Sequence, residues 1–255
     1  MAKLSGLNLK LLLKDKEVSA DFREFDASTR ADEVDTTTFG QTARQFIPGF
    51  TTGEWSLAGL YESGAGSSDE VLHDLMDDTA AAVATALPND LVEGRRALLL
   101  NATASSYEVP ASEGDAVAAA AAMSGQGGAR WGQLIRVAAI STAESAASAT
   151  GYDNPSDAAT TKGAAFHLHV TANTRDQGTL TMKPQDSADN VTYADIAGLS
   201  NPSNTFTAVA AGATAVERIT LPNGSTLRRY VKCFASSIGA GNGDYTVRVA
   251  YSRAY

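Results

Sequence analysis

The 255-residue sequence contains a single cysteine, Cys233, and only three histidines. One cysteine cannot form an internal disulfide, and it fits a protein that works in a reducing compartment. Because structural zinc sites are built from clusters of cysteine and histidine, this composition also argues against a zinc domain. No apolar run approaches the length that a bilayer crossing requires, so we expect no membrane segment.

The sequence also lacks the motifs of the common enzyme classes. It has no G-x-S-x-G nucleophile elbow, no P-loop and no glycine-rich dinucleotide motif between a strand and a helix. His167 and His169 alternate along one predicted strand, a spacing that two metal ligands can use, but no third ligand lies close in sequence. We therefore expect a protein that is not an enzyme, with no catalytic residues, no metal site and no cofactor.

Acidic residues are concentrated in the first part of the chain. Residues 1–145 contain 11 Lys and Arg against 21 Asp and Glu, whereas residues 146–255 contain 9 against 8. Proteins that grip nucleic acid are usually basic, because much of their affinity comes from neutralising phosphates. The acidic surface therefore argues against nucleic-acid binding, and it also keeps a protein soluble.

Hydrophobic periodicity predicts a mainly β protein with one short helix. Leu7–Leu13 and Val18–Phe25 enclose a charged turn and predict a β-hairpin. In residues 67–80 the apolar side chains fall at helical spacing, and Ser67 or Ser68 can cap the helix. The alanine-rich stretch 115–124 is ambiguous, because alanine favours a helix whereas the flanking glycines favour a strand. Further strands are predicted at 53–61, 81–86, 97–109 and 131–140.

The second half of the chain has the rhythm of an all-β domain. Residues 146–163 are rich in Ala, Ser, Thr, Gly and Asn and are interpreted as a linker. About seven short strands separated by turn residues follow, which indicates a β-sandwich. We therefore predict a first domain at 1–145, the linker at 146–163 and a C-terminal β-sandwich at 164–255.

Residues 31–62, ADEVDTTTFGQTARQFIPGFTTGEWSLAGLYE, are predicted to form a long polar loop, a compact turn and then a strand. A loop of about 20 residues without secondary structure is uncommon in a compact domain and usually has a function. A solitary domain would not expose its aromatic and aliphatic side chains, so the loop marks a protein–protein contact. A loop that folds back onto its own domain explains the same pattern equally well.

The pattern D-T-T-T-F-G, followed by an arginine and F-I-P-G, resembles the major tail proteins of long-tailed bacteriophages of actinobacterial hosts. Residues 7–140 share the resemblance, and it is looser over the C-terminal half. It implies a tail-tube β-sandwich or barrel domain at 1–145 and an outer, decorating β-sandwich at 164–255. These tail tube subunits assemble into hexameric rings that stack into a conduit for phage DNA, and the long loop contacts the next ring.

The resemblance also implies partners and a location. The implied partners are further copies of the chain, the tape measure protein and DNA transiently in the lumen, and the tail terminator and tail tip proteins. Assembly is expected in the host cytoplasm and the final location in the virion tail. The residues expected at contacts between rings or subunits are Asp35, Thr36, Thr37, Phe39, Arg44, Phe46, Ile47, Pro48, Gly49 and Phe50.

Two other functions fit parts of the sequence. An adhesin or carbohydrate-binding module would also be built from β-sandwiches, but a monomer has no use for the apolar loop. The tube protein of a contractile injection system shares the expected fold, although such subunits usually lack an appended domain. Filament formation distinguishes both tube proteins from the binding module.

Overall fold

The computed structural model describes residues 8–38, 42–64, 66–145, 149–153 and 159–253, except for the side chain of Pro48. This part of the chain is mostly β-strand with one helix of 10 residues, which confirms the predicted mainly β class. Within it, no helix combines the length and apolar character that crossing a membrane demands.

The strands, in chain order, are β1 Lys10–Leu13, β2 Lys16–Glu17, β3 Phe22–Asp35, β4 Phe46–Leu60, β5 Ala82–Leu87, β6 Arg96–Glu108, β7 Ala118–Gly125, β8 Arg130–Ile140, β9 Tyr152–Asp153, β10 Ala164–Asn173, β11 Thr179–Ser187, β12 Ala194–Asp195, β13 Val209–Ala210, β14 Ala215–Leu221, β15 Tyr230–Ile238 and β16 Tyr245–Arg253. Helix α1 spans Ser68–Asp77. The chain divides into unit 1, comprising Met1–Ser19, Val83–Leu99 and Arg130–Tyr255, and unit 2, comprising Ala20–Ala82 and Leu100–Ala129.

Unit 1 contains two packed layers of strands. One layer has the order β14-β10-β16-β8-β6-β5-β1-β2, and the other has the order β12-β11-β15-β9 with β13 on β11. Apolar side chains alternate along the strands, so each layer turns one apolar face to the other. Phe166 and Val249 from the first layer share a core with Met182 and Val231 from the second.

The division into units differs from the predicted boundaries at residues 146 and 163. Strand β16 pairs with β8 from Tyr245 opposite Ile140 to Ser252 opposite Gly132. The predicted linker therefore separates two strands that share a ladder of backbone hydrogen bonds. Two strands about 100 residues apart give no local signal that they pair, because hydrophobic alternation identifies a strand and not its neighbour.

Unit 2 is built on β3, β4, β7 and the end of β6. Trp55, Leu57 and Met123 are buried, and the ring of Phe25 meets Trp55 edge to face at 5.2 Å between centroids. Helix α1 starts where the sequence predicted, because the Ser67 side chain accepts a hydrogen bond from the backbone N–H three residues later. The alanine-rich stretch forms β7, the strand that its flanking glycines favoured.

The predicted N-terminal hairpin forms at its charged turn, but the predicted second strand is wrong. Strand β1 pairs with β2 over only two positions, Leu12 with Glu17 and Leu13 with Lys16, and its other edge pairs with β5. The alternating segment that was expected to complete the hairpin continues instead into β3, which pairs with β4. The turn at Lys14 and Asp15 forms as predicted, whereas tertiary pairing decides which strand each flanking segment joins.

Candidate assembly site

The most distinctive surface of unit 2 is a two-stranded arm, described at residues 30–38 and 42–52, in which the end of β3 pairs with the start of β4. Strand β7 pairs with β4 only between Gly53 and Leu60. Beyond Gly53, the described part of the chain gives β4 a single partner, β3, with Ala31 opposite Thr51 and Val34 opposite Ile47. An isolated two-stranded ribbon is at best marginally stable in water, so the arm is a feature that calls for a partner.

A polar turn closes the described end of the arm. The Asp35 carboxylate accepts hydrogen bonds from the backbone N–H of Thr37 at 2.8 Å and from its hydroxyl at 2.5 Å. Both bonds lower the pKa of Asp35, and the bond from the Thr37 hydroxyl has the larger effect. The backbone N–H of Thr36 donates to the Gln45 carbonyl at 2.8 Å, and the Thr37 hydroxyl accepts from the Gln45 N–H at 3.0 Å. The threonine run thus shapes the turn.

Large apolar side chains project from the arm into solvent. Phe50 is 86 % exposed, Ile47 52 %, and Phe46 and Val34 48 % each. Val34 and Ile47 face each other across the two strands and form a continuous apolar pair on one side of the ribbon. Contiguous exposed apolar surface of this kind marks a contact site.

The segment predicted to be a loop forms the two-stranded arm instead, and most of the predicted contact residues lie on that arm. Residues 31–35 and 46–50 are strand, not loop. Asp35 ends β3, Thr36 and Thr37 form the turn, and Arg44 is exposed beside it. Phe46 to Phe50, including the backbone of Pro48 and Gly49, lie in β4, whereas Phe39 lies outside the described residues. That all ten are contact residues stays a prediction.

A register irregularity explains why the arm does not look like a strand in the sequence. The pairing shifts between Ala31 and Glu33, so the even alternation of apolar and polar residues breaks there. Gly49 lies against this point, and a Cβ on it would come within 3.2 Å of the Asp32 carbonyl oxygen. Glycine therefore permits the close approach of the two strands.

One face of the unit 2 sheet is exposed and acidic. Trp55, Leu57 and Met123 point to the buried side, so their neighbours in sequence point to the other. The residues on this exposed face are small or charged: Glu24, Asp26, Ser28, Arg30, Glu54, Ser56, Ala58, Ser106, Glu108, Ala120, Ala122 and Ser124. They include four carboxylates against one arginine. Their short side chains leave an open depression of about 590 Å³.

Sequence reasoning missed this acidic face although a signal was present. The alternation of polar Glu24, Asp26 and Ser28 with Phe25 and Ala27 has the period of a half-buried strand. The pattern was interpreted as one strand of a short hairpin. That the acids of β4 and β6 lie on the same face follows only from the strand pairing, which the sequence does not reveal.

A carboxylate on α1 ties the helix to the sheet of unit 2. Tyr61 donates its hydroxyl proton to one oxygen of Asp69 at 3.2 Å, and Tyr107 donates to the other at 2.5 Å. The pKa of Tyr107 is raised mainly by burial, and the bond to Asp69 raises it further. This link fixes the start of the helix against β6 and the end of β4.

The two alternating histidines are core residues of unit 1. His169 donates from Nδ1 to the Lys14 carbonyl at 2.6 Å, which leaves its Nε2 to accept from the Thr85 hydroxyl at 2.9 Å. The Thr85 oxygen lies 3.2 Å from His167 Nδ1. Among the described residues, no group of three or more His, Cys, Asp or Glu is placed to hold a metal ion.

No protein-family model matches the sequence, and no curated protein matches it. Among solved structures, a chain from the virion of a native gene transfer agent particle is 17 % identical, with a TM-score of 0.43, over 51 % of this chain and 98 % of that chain. A chain from the tail of an empty gene transfer agent particle with C6 symmetry is 17 % identical, with a TM-score of 0.41, over 50 % and 97 %. The Dit protein of phage SPP1, from the hub adsorption apparatus of phages that infect Gram-positive bacteria, is 11 % identical, with a TM-score of 0.38, over 96 % and 98 %.

Proposed function

We propose that this protein is a structural subunit of a bacteriophage tail, and that its copies form hexameric rings that stack into the tail tube. The arm carries the proposal, because Phe50 is 86 % exposed on a ribbon that extends beyond the other strands of its sheet. Nine of the ten contact residues implied by the resemblance to tail tube subunits are described by the structure, and all nine belong to this arm. An arm that docks on the next ring gives a heterologous contact, and such contacts propagate as filaments.

Burial of the arm supplies a driving force of useful size. Complete burial of Phe50, which is 86 % exposed, is worth about 1.5–3 kcal/mol, and burial of the half-exposed Ile47 adds a smaller amount. Six arms would act together in each ring, so a modest contact for each subunit becomes a stable stack. The same burial would add the partner surface that a two-stranded ribbon lacks.

The edge of β3 supports lateral contact within a ring. Among the described residues β3 pairs only with β4, so its other edge presents unpaired backbone groups along a strand of 14 residues. Long free edges are a liability in a soluble monomer, because they invite pairing with another chain. In the proposed ring, the neighbouring subunit pairs with this edge, and the sheets of six subunits join into one barrel.

The exposed acidic face suits the inside of such a barrel. Carboxylates such as Glu24, Asp26 and Glu54 repel phosphates, so DNA would pass without the counterion release that makes basic proteins adhere. The small side chains beside them give a smooth wall. In this proposal the tape measure protein and DNA occupy the lumen transiently. The terminator and tip proteins bind the two ends, the tube is assembled in the host cytoplasm, and the chain performs no enzymatic reaction.

Electron microscopy of the purified full chain over a range of concentrations tests the proposal. We expect rings and tubes with a central hole, in amounts that rise steeply with concentration. Discrete monomers at every concentration, also in the presence of a tail tip fraction as initiator, would refute the tube assignment. Single rings that never stack would instead indicate an adaptor that is present once per tail.

A replacement of the arm isolates its part in stacking. Residues 32–50 are exchanged for Asn-Gly, a dipeptide that closes a tight hairpin between Ala31 and Thr51, which already face each other. The shortened chain should fold but form no tubes. As a matched pair, Phe50→Ser should weaken assembly, whereas Val191→Ser, at a valine that is 81 % exposed, should not. Long tubes from the shortened chain would contradict the role of the arm.

A further inference from the structure

The surface that receives the arm can be sought among the exposed apolar residues of the described chain. Outside the arm, the large apolar side chains in solvent are Met76, Val92, Val109, Val117, Trp131 and Val191. The arm carries a cluster of three exposed acids within four residues, Asp32, Glu33 and Asp35, next to the apolar Val34, and its two exposed arginines, Arg30 and Arg44, lie outside that cluster. A receiving surface should therefore combine apolar area with positive charge.

Most of these apolar residues lie next to acidic residues, whose negative charge would repel the acids of the arm. Met76 precedes Asp77, Val92 precedes Glu93, Val109 follows Glu108, and Val117 lies two residues after Asp115. Val191 donates its backbone N–H to the carboxylate of Asp189 at 2.9 Å. An acidic arm would meet like charge at each of these positions, and like-charge contacts in an interface are costly.

Trp131 is the exception, and it is aromatic. Its side chain is 49 % exposed, and the guanidinium carbon of Arg96 lies 5.9 Å from the centroid of its ring. The strand pairing places Trp131 opposite Leu98, which puts it on the same face of the β6–β8 pair as Arg96. Arg95 is also exposed, and within the described chain neither arginine is paired with an acid. We name Arg95, Arg96 and Trp131 the Trp131 patch.

We propose that the Trp131 patch of one copy receives the acidic, apolar arm of a second copy. Tryptophan and arginine are the residues most often found at the energetic centre of interfaces. The apolar pair Val34 and Ile47 would cover the indole. Asp32 would face Arg96, because Asp32 and Val34 lie on the same side of the ribbon, where a Cβ on Gly49 would come within 3.3 Å of the Asp32 Cβ and 3.4 Å of Val34. Arm and patch are different surfaces, so the contact is head to tail and leaves both ends open for further copies. This inference rests on the proposed stacking function and names its partner surface.

A charge exchange tests the pairing in the full chain. Arg96→Glu and Asp32→Arg alter exposed side chains that make no hydrogen bond to any described residue. Each single change should raise the protein concentration at which tubes appear by about fivefold, the effect of an exposed ion pair worth ~1 kcal/mol. The double variant should restore it to within about twofold of the original protein, because the swapped charges attract again.

Lys162→Glu is the matched control for the charge change. Lys162 is exposed in unit 1, so the substitution alters the net charge as Arg96→Glu does. The control should assemble as the original protein does. If it impaired assembly as strongly as Arg96→Glu, or if the double variant were as defective as the two single changes combined, the pairing of arm and patch would be overturned.

Disulfide trapping gives an independent measurement. The chain's own Cys233 is buried, so cysteines at Asp32 and Arg95 would be the only reactive thiols. Oxidation of assembled Asp32→Cys/Arg95→Cys protein should give a ladder of dimers, trimers and higher species, whereas either single variant should give at most dimers. Tubes that form without a ladder would overturn the inference and leave the tube function standing. A failure of the unaltered protein to form tubes would remove both.

Discussion

We expect the folded protein to lose stability below neutral pH, because two histidines are buried without charge in unit 1. His167 and His169 are 1 % and 0 % exposed, and both contact the hydroxyl of Thr85. Burial is the main cause that lowers both pKa values, that of His169 to about 4 and that of His167 well below its usual 6.5. The neutral ring of His169 is also the form that accepts from Thr85.

The size of the loss follows from the shift at His169. In the unfolded chain its imidazole binds a proton below about pH 6.5, whereas in the folded chain it does so only near pH 4. The stabilisation is therefore complete above pH 6.5 and is lost as the pH falls towards 4. Between pH 7.5 and pH 5 the unfolded state gains almost a full proton more, which costs roughly 2 kcal/mol. His167 adds a loss of the same sign.

Urea unfolding at pH 7.5 and pH 5 measures this loss, and a His169→Gln variant isolates it. Glutamine keeps hydrogen-bonding groups near Thr85 but does not titrate, so the variant should be less stable at pH 7.5 yet lose about 2 kcal/mol less on acidification. Carboxylates that titrate in both proteins cancel in this difference. His73→Gln, at a side chain that is 68 % exposed on α1, should keep the full loss. Equal losses in the His169→Gln variant and the unaltered protein would refute the reasoning.

Three further predictions concern single side chains. Trp55→Ala, at a side chain 1 % exposed, should lower the free energy of unfolding by about 3–5 kcal/mol in urea titrations. Asp69→Ala should lower the pKa of Tyr107, because its hydroxyl loses a charged acceptor, and tyrosinate absorbance should then rise at a lower pH than in the unaltered protein. Cys233 should resist thiol reagents in the native protein, because burial raises its pKa, and it should react after the protein has been unfolded in urea.

Elements with strong local signals could be predicted from the sequence. Helix α1 combines a serine cap at Ser67, acids in its first turn and apolar residues such as Val71 and Leu75 at helical spacing, so three signals agree. Strand β8 was expected at 131–140 and spans Arg130–Ile140. In both cases the residues that decide the structure lie within a dozen positions of each other.

Features that depend on pairing could not be predicted in this way. The arm was interpreted as a loop because its register shift and its turn, closed by Asp35 and Thr37, interrupt the alternation. The domain boundary was placed between β8 and β16 because nothing near either strand reports their ladder. A period of two says which residues share a face, but only the neighbouring strands decide whether that face is covered.

The same limit explains why one half of the proposed contact was visible in the sequence and the other was not. Phe50 stands among Pro, Gly and Thr, where an aromatic side chain has no evident core to enter, so its exposure could be expected. Trp131 stands in an apolar strand, where burial is the ordinary expectation, yet it is half exposed beside Arg96. A contact surface on a strand is thus recognised by a residue that the fold fails to bury, and that becomes apparent only after every strand has found its partner.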